Sequence, residues 1–152
     1  ATLADDYFRA AFGAEGPACL AYLETISQLF DPPYLRDEKP RHDPAVAATF
    51  ARLPGVVAEF RPTIARNLAA PDPCHARSWH YLAQHADLCA LLAEALRLRA
   101  TGDDEAALVA WAATQRFMRE SEVDLHPVLD AYEFQSVLGR LFHSHRPDRF
   151  GE

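Results

Sequence analysis

The stretch from residue 74 to residue 100 runs for 27 positions without a proline or a glycine and carries two apolar stripes. Leu82, Ala86, Cys89, Ala93, Leu96 and Ala100 recur at alternating spacings of four and three, and Leu88, Leu91, Leu92, Ala95 and Leu98 form a second row beside them. An amphipathic surface helix needs only one such stripe. Two stripes require cover on more than one side, which places this helix in the middle of a bundle. Leu92 and Leu96 are therefore expected to be buried.

The rest of the chain supplies the cover. A short helix is predicted over 3–12, where Leu3, Tyr7, Phe8, Ala11 and Phe12 repeat at three and four, with Gly13 as its stop. A second begins near Glu15 and Pro17, since proline is tolerated in a first turn, and runs to about residue 30. Residues 45–70 read as a helical region interrupted at Pro54-Gly55 and again punctuated at Pro62. The sequence TGDD at 101–104 is a turn followed by acidic caps. Two further helices are expected over 103–119, packing through Ala106, Val109, Ala110, Ala113, Phe117 and Trp111, and over 124–142, packing through Val128, Leu129, Tyr132, Val137, Leu138, Leu141 and Phe142. No run of period-two alternation competes; VVAEF at 56–60 is short and embedded in helical spacing. The fold class is all-α, a compact antiparallel bundle of five to seven helices, with 74–142 as a three-helix unit. The segment 31–44 holds four prolines and seven charged residues and is expected to be an irregular loop. The tail from residue 143 reads as frayed.

Charge and cysteine content narrow the function classes. The 152 residues carry a formal charge of -7 with no basic cluster, so neither a nucleic-acid backbone nor an anionic membrane is an expected partner. No apolar run approaches a bilayer span and the acidic start has no signal-peptide pattern. The first residue is Ala1, which fits initiator processing or a piece cut from a longer protein; the chain is read as one helical domain, 1–152, of a larger protein. Three cysteines, Cys19, Cys74 and Cys89, do not make a disulfide scaffold, and the compartment stays open.

Chemistry-bearing residues are scattered. His75, His80 and His85 repeat every five residues, which rotates successive side chains by about 140° and denies them a common face. His143 and His145 would need further ligands to hold a metal. Glu120, Glu122, Asp124 and Asp130 cluster at a predicted helix junction without an EF-hand spacing, and Asp124 reads as a cap. No GxSxG, phosphate-binding loop or dinucleotide motif is found, and Cys74-His75 are adjacent on a helix and so badly placed as a dyad. No catalytic residue, metal ligand or cofactor is assigned. Trp79, His80 and Tyr81 form the densest aromatic cluster; Trp79 reads either as a core anchor or, with Tyr81 and with Tyr34 in the long loop, as a substrate rim or partner surface.

The segments WHYLAQHADLCALLAEALRLRATGDDEAALVAWAATQRFMRESEVDLHPVLDAY (79–132) and DYFRAAFGAEGPACLAYLETI (6–26) resemble the C-terminal helical domain of large bacterial glycoside-hydrolase-like proteins, whose catalytic TIM barrels are related to the alpha-glucuronidase and beta-hexosaminidase group. That resemblance implies an accessory, non-catalytic domain in carbohydrate metabolism, packed on the catalytic domain of the same polypeptide, with carbohydrate near Trp79, Tyr81 or Tyr34. Two other readings use the same residues: a free-standing protein-interaction bundle with an apolar groove, or a small helical enzyme dependent on a metal or on carboxylates.

Overall fold

A computed structural model describes residues 2–143, and within them the chain is all-α. Six helices have ten residues or more: α1 (Leu3–Phe12), α2 (Gly16–Leu29), α5 (Leu53–Asn67), α6 (Pro73–Thr101), α7 (Asp104–Leu125) and α8 (Ala131–His143). Two short ones, α3 (Pro32–Leu35) and α4 (Pro44–Phe50), lie between α2 and α5. This is the helical bundle expected from the sequence.

Helix α6 is the axis. Every residue from 78 to 100 is buried or half-buried, and the stripe from Leu82 to Ala100 is buried throughout. Leu92 and Leu96 are both in the core. Its ends are fixed locally: the Asp72 carboxylate accepts from the backbone N–H of Cys74 and His75, and Pro73 stands in the first turn. At the other end Gly102 adopts φ 86°, the left-handed conformation that closes a helix. The Asp103 N–H reaches back to Leu98 O and the Asp103 side chain caps α7. So short a turn obliges α7 to return antiparallel along α6. Helices α4, α5 and α1 cover the remaining faces of α6.

The proline-rich middle departs from expectation in detail. The break between α4 and α5 falls at residues 51–52, ahead of Pro54, because Pro54 sits in the first turn of α5, where its missing N–H costs nothing. Pro62 lies inside α5 without ending it. The segment 31–44, expected to be irregular, contains the single turn α3 and is pinned at several points. Asp31 caps Tyr34 N, Tyr34 Oη donates to Arg41 O at 2.8 Å, Arg41 pairs with Asp104 at 2.8 Å, and Asp43 N donates to Ala100 O.

The last two helices also differ. Helix α7 continues to Leu125, so Glu120, Glu122 and Asp124 lie on its last turns and not at a junction. Pro127 and Val128 fall in the following turn, and α8 starts at Ala131 behind Asp130, whose carboxylate accepts from Glu133 N. Tyr132, Val109 and Val128, expected to pack inward, are 80%, 69% and 56% exposed.

The core has two parts. The larger draws on every helix from α2 to α8 and includes the stacked pairs Tyr22–Phe60 and Trp111–Phe142. A smaller cluster, Leu88, Met118, Leu125 and Ala131, ties the end of α7 to α6.

Candidate functional site

Between those two clusters the bundle is open. Helix α1 lies on one side of α6 and the end of α7 on the other, and the two do not close over it. The result is an apolar groove of about 440 Å³. Its floor is α6, through Ser78, Tyr81, Leu82, Gln84, His85 and Leu88. These positions recur at three and four, the spacing that keeps one helix face turned in one direction. One wall is Tyr7, Ala11 and Phe12 of α1 with Leu23 of α2; the other is Leu125, Val128 and Leu129. Tyr7 and Val128, at opposite lips, are 66% and 56% exposed.

Helix α1 is held in place to form that wall. Thr2 and Asp5 make a reciprocal capping box, Phe12 packs edge-on against Trp79 at 5.1 Å, and a ring nitrogen of His75 lies 3.0 Å from Ala10 O. Gly16 lets α2 cross close behind: a Cβ there would stand 2.5 Å from the Phe8 carbonyl. The opposite wall is held by polar contacts. His80 Nε2 and Asp124 Oδ2 are 2.5 Å apart, and Gln84 Nε2 is 3.4 Å from the same carboxylate oxygen, so α6 and the last turn of α7 are joined beside the groove.

Inside the groove His85 is the polar group of interest. Both ring nitrogens lie near Cys89 Sγ, at 3.4 and 3.7 Å. Burial holds the imidazole below its ordinary pKa and pushes the Cys89 thiol up to about 12. At neutral pH both are uncharged. The pair is therefore not a thiolate–imidazolium nucleophile, which needs the opposite shift at sulfur. Cys19 is likewise pushed up to about 12 by burial.

The residues singled out in the sequence are spread across the fold. Tyr81 lines the groove. Trp79 is fully buried behind Phe12, the core-anchor alternative, and Tyr34 is fully buried at the other end of the bundle beneath Arg99. Neither offers a ring to a ligand at the surface. The three histidines of α6 point apart as expected and each meets a different partner: Ala10 O, Asp124 and Cys89. Asp124, expected as a cap, instead pairs with His80. His143 borders a second cavity of about 610 Å³ with Arg36 and Arg140, while His145 lies outside the described residues. Among the described residues no three His, Cys, Asp or Glu side chains converge as a metal site would require, and no helix is long and apolar enough to cross a membrane.

Sequence reasoning held an apolar groove only as one alternative and did not locate it. Tyr7 and Val128, both placed in packing stripes by the sequence, stand exposed at its lips instead; that they face each other depends on how α1 and the 126–130 turn sit on α6.

Compared with protein-family models, curated proteins and solved structures, the chain matches none. On that finding the glycoside-hydrolase and carbohydrate-metabolism assignment implied by the helix-packing resemblance is withdrawn; what stands is the all-α bundle.

Proposed function

We propose that this bundle is a protein-interaction module whose working surface is the groove between α1, α6 and the end of α7. The observation that carries this reading is the groove's construction. A packed bundle normally buries its apolar faces, yet here one wall is fixed by its own cap and the other is joined to the floor by His80 and Asp124, while aromatic and aliphatic side chains line the space between. An apolar trough beside an exposed helix face is the form in which bundles receive an amphipathic helix, anchored at spacings of three, four and seven. The floor residues Ser78 to Leu88 span ten steps of helix, a trough of about 15 Å or nearly three turns.

Selection from a displayed library of helical peptides tests the reading. Binders with apolar residues at one helical face are expected to emerge and to lose affinity on Y7Q and V128Q. Both positions are solvent-exposed, so the fold should survive these changes, as circular dichroism would verify. V109Q, an equally exposed change on α7 that faces Glu94 and Leu98 and lies outside this groove, should leave binding intact. Binders indifferent to Y7Q and V128Q would place the interaction elsewhere and sink the proposal.

A further inference from the structure

The floor of the groove carries an imidazole among apolar neighbours. His85 is half-buried, and Leu82 and Leu88, one turn away on either side along α6, are buried. The walls facing it are α1 through Tyr7 and Phe12, α2 through Leu23 and the end of α7 through Leu125. Among the described residues that line the groove there is no Asp, Glu, Lys or Arg. Charged groups close by are engaged elsewhere: Asp124 with His80 and Gln84, and Asp87 with Arg61 on α5. Cys89 lies against the ring, with Tyr22 of α2 near that thiol; burial pushes both groups up, the thiol to about 12. Tyr7 and Tyr81 add phenols, which ordinarily ionise at about pH 10. Between pH 5 and 8 His85 is therefore the one group, among the described lining residues, whose charge changes.

We infer that the groove accepts its occupant only while His85 is neutral, so that acidification releases an apolar partner helix. The inference rests on the groove being the interaction site proposed above. While the groove is open to water, a half-exposed ring that takes up a proton keeps part of its hydration. An apolar side chain laid over the ring removes that water, and no carboxylate in the lining replaces it. Burial already holds this imidazole below its ordinary range, and an occupant buries it further in the same direction. The bound state then holds the proton less tightly than the free state. Affinity is accordingly full above the free protein's pKa and falls as pH drops through it. The neutral ring costs the occupant little, since Cys89 Sγ lies 3.4 Å from Nε2 as a partner within α6. The occupant's own chemistry follows: the residue seated over His85 is apolar, because a carboxylate there would attract the protonated ring and reverse the sign.

The test uses the whole chain and a labelled helical peptide of about 18 residues, with Leu along one face, Gln and Ala elsewhere and blocked ends, so that the peptide itself does not titrate. Fluorescence anisotropy is read from pH 7.5 to 5.0 at fixed salt, with circular dichroism at each pH to show that the chain stays folded. Affinity is expected to fall about tenfold over that range in the parent chain and to stay level in H85L. His75 and His80 hold the walls from outside the groove, and His126 is exposed in the turn before Val128. H75Q, H80Q and H126Q should each keep the decline. In the parent chain, NMR of the His85 ring should show it titrating at lower pH with the peptide bound than without, a readout that needs no variant to fold. A decline that persists in H85L, or a ring that titrates alike bound and free, would overturn the inference. Level or rising affinity on acidification would overturn it too; if Y7Q and V128Q still weakened that binding, the groove would stand without the proton. Binding indifferent to Y7Q and V128Q, or no binding at pH 7.5, would overturn the groove as a helix receptor and this inference with it.

Discussion

Arg99 shows what one buried charge does in this fold. It is 2% exposed, on the central helix, among residues that are otherwise apolar. Its Nε donates to Leu141 O at 2.7 Å, its guanidinium lies 4.9 Å from the centre of the Tyr34 ring, and Asp37 stands 3.6 Å away. One side chain thus joins α6 to α8 and to the 31–44 segment. Truncating it would orphan a carbonyl, open a space against Tyr34 and leave Asp37 without its cation. Arg99→Ala is expected to lower the unfolding free energy in urea by about 3–5 kcal/mol. Asp37→Asn, at a half-exposed and longer contact, should cost less than about 1 kcal/mol. His85 gives a second prediction at this scale. Its folded pKa is depressed by burial, so as pH falls through about 6.5 the unfolded chain takes up a proton that the folded chain still refuses. Its contribution to stability is therefore complete above that pH and is lost below it. Urea midpoints measured from pH 7.5 to 5.5 should decline less steeply in H85L than in the parent chain. Neither residue's role was legible in the sequence: Arg99 sits at a position that a surface arginine could equally occupy, and His85 reads as one of three evenly spaced histidines until its neighbours are known.

At the scale of elements, the turn and acidic caps at 101–104 were legible because they act within a few residues, whereas the cap and proline that open α6 were not read as such. Asp72-Pro73 opens α6, and Gly102 closes it, from local geometry alone. Two glycines separate local from tertiary causes. Gly55 lies in the first turn of α5 with nothing within 4 Å of an added Cβ, so Gly55→Ala should stabilise by about 0.5–1 kcal/mol through the backbone entropy of the unfolded chain. Gly16 occupies the same kind of helical position, yet its Cβ would stand 2.5 Å from the Phe8 backbone, which no side-chain rotation relieves. Gly16→Ala is expected to destabilise in spite of alanine's helix propensity and to loosen α1, read as faster amide exchange there. The helix ends that sequence misplaced were set by packing. Helix α7 runs on past Arg119 because Leu125 and Met118 are drawn into the smaller core against Leu88, overriding the polar composition of 119–124. Tyr132, apolar and in register, remains outside because α8 presents Ala131, Leu138, Leu141 and Phe142 to the bundle instead.

Over the whole molecule, stability should be graded from α6 outward. Helix α6 is covered on several sides, whereas α1 has no buried residue and depends on Phe8, Phe12 and its caps. Native-state hydrogen exchange is expected to show the slowest amides in 82–100 and the fastest helical amides in α1. Uniform protection of α1 and α6 would mean that the wall of the groove is part of the global folding unit. If α1 opens separately, the groove can widen without unfolding the bundle, a property suited to receiving a helix.

The sequence by itself determined the helical class, the central helix and the turn that ends it, because periodicity and capping are properties of neighbours three and four residues apart. It also set the acidic charge of the surface. Only the tertiary structure decided that Trp79 and Tyr34 are core, that Tyr81 is lining, that His80 meets Asp124, and that α1 and the 126–130 turn stand apart across α6. Each of those depends on residues tens of positions apart being brought together, and the interval between two walls is written in neither wall.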